Sequence, residues 1–98
     1  MSDVEVRHES DRSRWTAYVD GTEAGFAEYQ LTDELVVFTH TEVHAAFEGQ
    51  GVGGALARTA LDEVAAEGAR KVMAVCPFIK GWIDRHPDYA GLQFNAPR

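Results

Sequence analysis

Residues 49–54, Gly-Gln-Gly-Val-Gly-Gly, separate two stretches with different hydrophobic periods and hold four of the chain's nine glycines. Before them the apolar residues alternate. Val4 and Val6 face one way in DVEVRH, and Trp15, Ala17 and Val19 share a face in RWTAYVD. EAGFAEYQL and LVVFTHTEVH continue the pattern and are rich in β-branched and aromatic residues. Asp20-Gly21-Thr22 and Asp33-Glu34 mark turns. This predicts four antiparallel strands. After the glycines, Leu56, Ala60 and Val64 with Ala57 and Leu61 recur at helical spacing, and Arg58, Asp62 and Glu63 fall on the other side. Gly68 stands where a helix C-cap glycine belongs. KVMAV reads as a short strand ending at Cys76, PFIKGWIDRH as a second helix over 77–86 stopped by Pro87, and DYAGLQF as an extended tail.

A strand over 35–44, a helix over 51–67 and a strand over 71–76 form a right-handed βαβ crossover. The expected fold class is therefore α/β (α+β): a mixed, mainly antiparallel sheet with two helices. Ninety-eight residues are enough for one domain, 1–98. A net charge of −7 with scattered basic residues argues against nucleic acid as ligand. The longest apolar run near a strand, LVVF, is far short of a membrane span, and the first residues lack the apolar core of a secretory signal. A cytoplasmic, unanchored monomer is the expectation. The single cysteine excludes an internal disulfide and a thiolate metal cluster.

The helix after the glycines opens without a capping side chain, because Phe47-Glu48-Gly49-Gln50-Gly51 supplies no Ser, Thr, Asp or Asn. Its first N–H groups and the helix dipole make an anion site that glycines let a phosphate approach. Gly54-Ala55 lacks the Lys-Ser/Thr of a Walker A loop, and the single βαβ unit lacks the acid of a dinucleotide fingerprint. The remaining pattern, Val43-x-x-x-Phe47-x-Gly49-x-Gly51-Val52-Gly53, resembles the acyl-CoA loop of the GCN5-related N-acetyltransferases. The resemblance puts Glu48 at that family's Arg/Gln position and Gly51 and Gly53 at its two small positions. Ala45 stands where proline is common. It implies that Val43 pairs with the pantetheine arm and that amides over Gly49, Gln50, Gly51, Val52, Gly53 and Gly54 hold the pyrophosphate of acetyl-CoA or CoA. The HTEV at 40–43, the glycine loop and the CPF at 76–78 are similar to the very small single-domain members of that superfamily. Those carry a cysteine near the acetyl group, for which an acetyl-cysteine intermediate has been proposed.

Pro77 at a first helical position makes Cys76 the N-cap of the second helix. A thiol at a helix N-terminus feels the positive end of the dipole, a setting of reactive cysteines. Phe78 and Lys80 are candidates to flank pantetheine or the nucleotide phosphate. His40, Glu42 and His44 share one strand face by alternation. Glu42 and His40 are the candidate bases, because an acceptor amine must be neutral to attack. Three residues spaced by two along a strand are too far apart to ligate one ion well, so no metal site is expected. The predicted function is acetyl-CoA-dependent acetylation of an amine, with a protein among the acceptors considered. The alternatives are a CoA-binding module without turnover and a structural domain whose glycines serve packing.

Overall fold

The computed structural model describes residues 3–95. Four strands run antiparallel in chain order: β1 (Val4–Glu9), β2 (Arg14–Val19), β3 (Thr22–Leu31) and β4 (Leu35–Val43). Asp20 and Gly21 both take positive φ, 51° and 80°, as a tight turn matching strand twist requires. Helix α1 (Val52–Glu67) then crosses to β5 (Lys71–Ala74), which pairs with β4 in parallel. Helix α2 (Pro77–Arg85) follows. The expected mixed sheet and two helices are present, and β5 ends at Ala74 rather than at Cys76. The tail is not extended. Pro87–Leu92 winds as a 3-10 turn, with Tyr89 donating its hydroxyl to Asp62 at 2.6 Å, and only Gln93 bridges to Val72.

The core forms where the two periods meet. α1 touches all five strands and buries Val52, Leu56, Ala57, Ala60, Leu61 and Val64, the side that its spacing predicts. Trp15, Ala17, Val36, Phe38 and Val72 face it from the sheet. Gly68 caps the helix at φ 71°. α2 lies beside α1, burying Ile79, Trp82 and Ile83. Trp82 lies near Gly54, and the Arg58 guanidinium sits 5.4 Å from the Trp82 ring centre.

Among the described residues, the other sheet face carries no α-helix and is held by polar side chains. Arg14 donates to Thr16 at 3.0 Å and to Glu23 at 2.7 Å. Thr16 and Tyr18 donate to the two oxygens of Glu9, each at 2.6 Å. These hydroxyls, Thr16 foremost, hold the Glu9 carboxyl below its ordinary range. Thr16 is fully buried and hydrogen-bonded, so this face is ordered without an apolar layer.

Candidate functional site

The site begins at a break in β4. Glu28 pairs with His40 but Tyr29 pairs with Phe38, so Thr39 is one residue too many. A one-residue slip changes which side chains face the core. Val36 and Phe38 are buried before the break; after it Thr41 and Val43 turn inward, and His40 and Glu42 are exposed. His40, Glu42 and His44 gather around Phe26 on the helix-free face. The His40 and His44 rings lie 5.8 and 6.3 Å from the Phe26 ring, and Glu42 is its register partner. His44 also reaches Glu23 at 3.2 Å.

Beyond Phe38 the two neighbours of β4 part company. β3 follows it through Val43, opposite Gly25. β5 leaves after pairing Ala74 with Phe38, and the N–H groups of Val75 and Cys76 both donate to the Phe38 carbonyl at 3.0 Å. Among the described residues, no strand pairs with the β5-side edge of β4 over 39–43. Such an edge can hydrogen-bond an extended ligand as a strand would. Gly25 makes the tight β3 contact possible, because a Cβ there would lie 2.5 Å from the Glu42 carbonyl oxygen. Gly25 lies outside the glycine-rich stretch at 49–54. Its signal was a glycine inside a strand pattern, a mark of close backbone approach.

Two helix N-termini converge on this opening. Gly51 is the N-cap of α1 at φ 79° with no side-chain cap, and the first helical bond runs from Ala55 N–H to the Gly51 carbonyl. The amides of Val52, Gly53 and Gly54 therefore lack a capping side chain. The four glycines have different reasons. Gly49 and Gly51 adopt positive φ with open space around them. Gly53 admits Phe78, whose ring would lie 2.6 Å from an added Cβ. At Gly54 a Cβ would make only ordinary contact, 3.9 Å from the Trp82 indole nitrogen. Packing within the protein thus accounts for Gly53 and leaves Gly54 unexplained. Glu48 and Gln50 are exposed in the approach, and Glu48 caps the 3-10 turn Ala45–Phe47 through its backbone.

Cys76 is the N-cap of α2, as its place before Pro77 predicts. Its sulfur accepts the Ile79 N–H at 3.4 Å and lies 3.1 Å from the Thr41 hydroxyl. Thr41 is a site residue that alternation alone could not assign, since the Thr39 bulge decides its face. The geometry groups Cys76, Thr41, Val43, Phe78 and the α1 N-terminus on the helix side of the opening. His40 and Glu42 stand on the other side, and Lys80 is exposed on α2. Two hollows lie elsewhere, at the far end of α1. One is an open groove of about 890 Å³ and the other a bowl of about 380 Å³, and neither includes the glycine loop or Cys76.

Solved structures include one with the same fold. A ribosomal-protein-alanine N-acetyltransferase from Brucella melitensis biovar Abortus 2308 superposes with a TM-score of 0.62 over 99% of this chain and 94% of its own, at 17% identity. No curated protein matches the sequence. The model of the family described as GCN5-related N-acetyl-transferase matches residues 14–92, which span β2 through the final 3-10 turn and every element of the site. The chain belongs to the GCN5-related N-acetyltransferase family.

Proposed function

We propose that the protein transfers an acetyl group from acetyl-CoA to an amine. The observation that carries this reading is the uncapped N-terminus of α1 beside an unpaired edge of β4. The amides of Val52, Gly53 and Gly54 suit the CoA pyrophosphate, assisted by the helix dipole. The backbone of 39–43, Val43 above all, suits the pantetheine arm. Gly54 fits such a ligand, since the protein makes no demand for glycine there. Gly49 and Gln50 belong to the same cradle, Phe78 walls it, and the exposed Glu48 stands in its approach. Lys80 would act only as a distant countercharge.

The acetyl group then lies near Cys76 and Thr41. In the two-step route the Cys76 thiol attacks the thioester carbonyl, the carbonyl–sulfur bond to CoA breaks, and the thiol's proton goes with CoA, which leaves as the free thiol. The neutral amine next attacks the acetyl-cysteine, the C–S bond breaks, and the Cys76 sulfur is restored. Glu42 or His40 takes the amine's proton from the helix-free side. In the direct route the amine attacks acetyl-CoA itself, and Cys76 only shapes the site. The sulfur's two hydrogen-bonding neighbours, Ile79 N–H and Thr41, support the first route because they hold the sulfur in one position. A CoA-binding module without turnover is the second reading. The exposure of His40 and Glu42, apart from the cysteine side, favours it.

Intact mass after incubation with acetyl-CoA tests the proposal, on wild type and Cys76→Ser, with a CoA melting shift alongside. One acetyl adduct, absent from the variant and released by hydroxylamine, supports the two-step route. A melting shift with no adduct leaves direct transfer or the binding module, and turnover with a panel of amines separates those. Absence of both signals sinks the acetyl-CoA reading.

A further inference from the structure

The bowl of about 380 Å³ lies at the end of α1 remote from the glycine loop. Ten residues separate Gly53 from Glu63 in its wall, about 15 Å along a helix. Its size is in the range of small-ligand sites. The floor is apolar and aromatic: Trp15, Tyr29, Val36 and Val64 are all buried. Leu31 stands on the rim at 54% exposure, an apolar side chain with area left to bury.

The polar groups of the bowl have one dominant sign. Glu63 and Glu67 are one helical turn apart on α1, about 5–6 Å between Cβ atoms. Each makes its contact through one oxygen: Glu63 accepts the Trp15 indole N–H at 3.2 Å, and Glu67 accepts from Arg70 at 3.4 Å. Arg70 donates to Glu67 through one terminal nitrogen and through Nε to the Thr32 carbonyl at 2.8 Å. His8 stacks on Trp15 with centroids 4.1 Å apart and meets the Tyr29 hydroxyl at 2.7 Å. Burial first, and the Glu67 charge second, push the Tyr29 phenol above its ordinary range, so it stays neutral. Among the described lining residues two carboxylates face one guanidinium, two of whose three nitrogens already donate within the protein, and the His8 ring, which is taken up by Trp15 and Tyr29.

We infer that this bowl binds a small organic ammonium with an apolar body, its charge between Glu63 and Glu67 and its body against Leu31, Trp15 and Tyr29. The inference does not depend on acetyl transfer, because no residue of the bowl belongs to the acetyl site.

The test is a nitrogen–proton NMR titration of the wild-type protein without acetyl-CoA. The probe is 2-phenylethylammonium, and 2-phenylethanol is its neutral counterpart. The chain's two indole N–H signals make the readout internal, since Trp15 lines the bowl and Trp82 packs between α1 and α2. The Trp15 signal should shift saturably with a dissociation constant near ~1 mM or below, about −4.1 kcal/mol, while Trp82 stays still. The alcohol should bind at least about tenfold more weakly, and so should the double variant Glu63→Gln, Glu67→Gln toward the ammonium, about 1.4 kcal/mol. Glutamine at 63 still accepts the indole bond; should the variant fail to fold, the comparison of amine with alcohol on wild type decides. No saturable shift at Trp15, equal binding of the alcohol, or shifts confined to Gly49–Gly54 and Trp82 would each overturn the proposal.

Discussion

β4 is two strands in one. From Leu35 to Phe38 it is flanked by β3 and β5, and it buries Val36 and Phe38 under α1. From His40 to Val43 it keeps only β3, and its side chains are exposed or half-buried. The residue types differ as well: Leu-Val-Val-Phe is wholly apolar, and His-Thr-Glu-Val has three polar residues in four. The single extra residue at Thr39 separates them. The first half spends its hydrogen-bonding capacity on the fold. Among the described residues, the second leaves one edge unpaired, beside the N-termini of α1 and α2. Substitutions in the first half should therefore act on stability, and those in the second on binding and chemistry.

The largest effect should come from Phe38→Ala. Removing a fully buried ring should cost about 3–5 kcal/mol in urea unfolding. A loss under about 1 kcal/mol would mean that the first half is not the packed one. Gly25→Ala comes next. Its Cβ meets the Glu42 backbone, so β3 and β4 must separate, and a cost of about 1–3 kcal/mol should appear with weakened CoA binding. An unchanged melting point would show that the two strands do not approach so closely.

Gly54→Ala sharpens the contrast. The fold leaves room for the methyl group, and alanine favours a helix, so stability should rise by about 0.5–1 kcal/mol. CoA affinity should nevertheless fall, as read by calorimetry. Higher stability with unchanged affinity would remove Gly54 from the site. Thr41→Val should cost about 0.5–1.5 kcal/mol through its lost hydrogen bond and slow formation of the acetyl adduct on Cys76. An unaltered adduct rate would make Thr41 a packing residue. The smallest stability effects belong to His40→Ala and Glu42→Gln, within about 0.5 kcal/mol, since both are exposed. The true base should lose about 10²–10⁴-fold in rate, and the other should lose little.

Much of this was legible in residue pattern. The change of period at Gly49–Gly54 located strand, loop and helix. The buried positions of α1 follow its spacing residue by residue, because an amphipathic helix has one way to hide them. Cys76 as N-cap and Gly68 as C-cap follow from the local chemistry of Pro77 and of positive φ. The extended tail was a misreading. Proline at 87 and the Tyr89–Asp62 bond turn it back onto α1, and the tail's own sequence does not carry that contact.

The sequence by itself therefore determined the order of elements, the faces of α1 and an uncapped glycine-rich helix start, since each depends on neighbours within a few positions. Tertiary structure decided which side of β4 each residue takes after Thr39, why Gly25 and Gly53 have no side chain, and that Thr41 meets Cys76 across 35 positions of chain. Those facts depend on what another element brings up against the backbone. Local propensity has no term for that, and only the packed sheet and its two helices supply it.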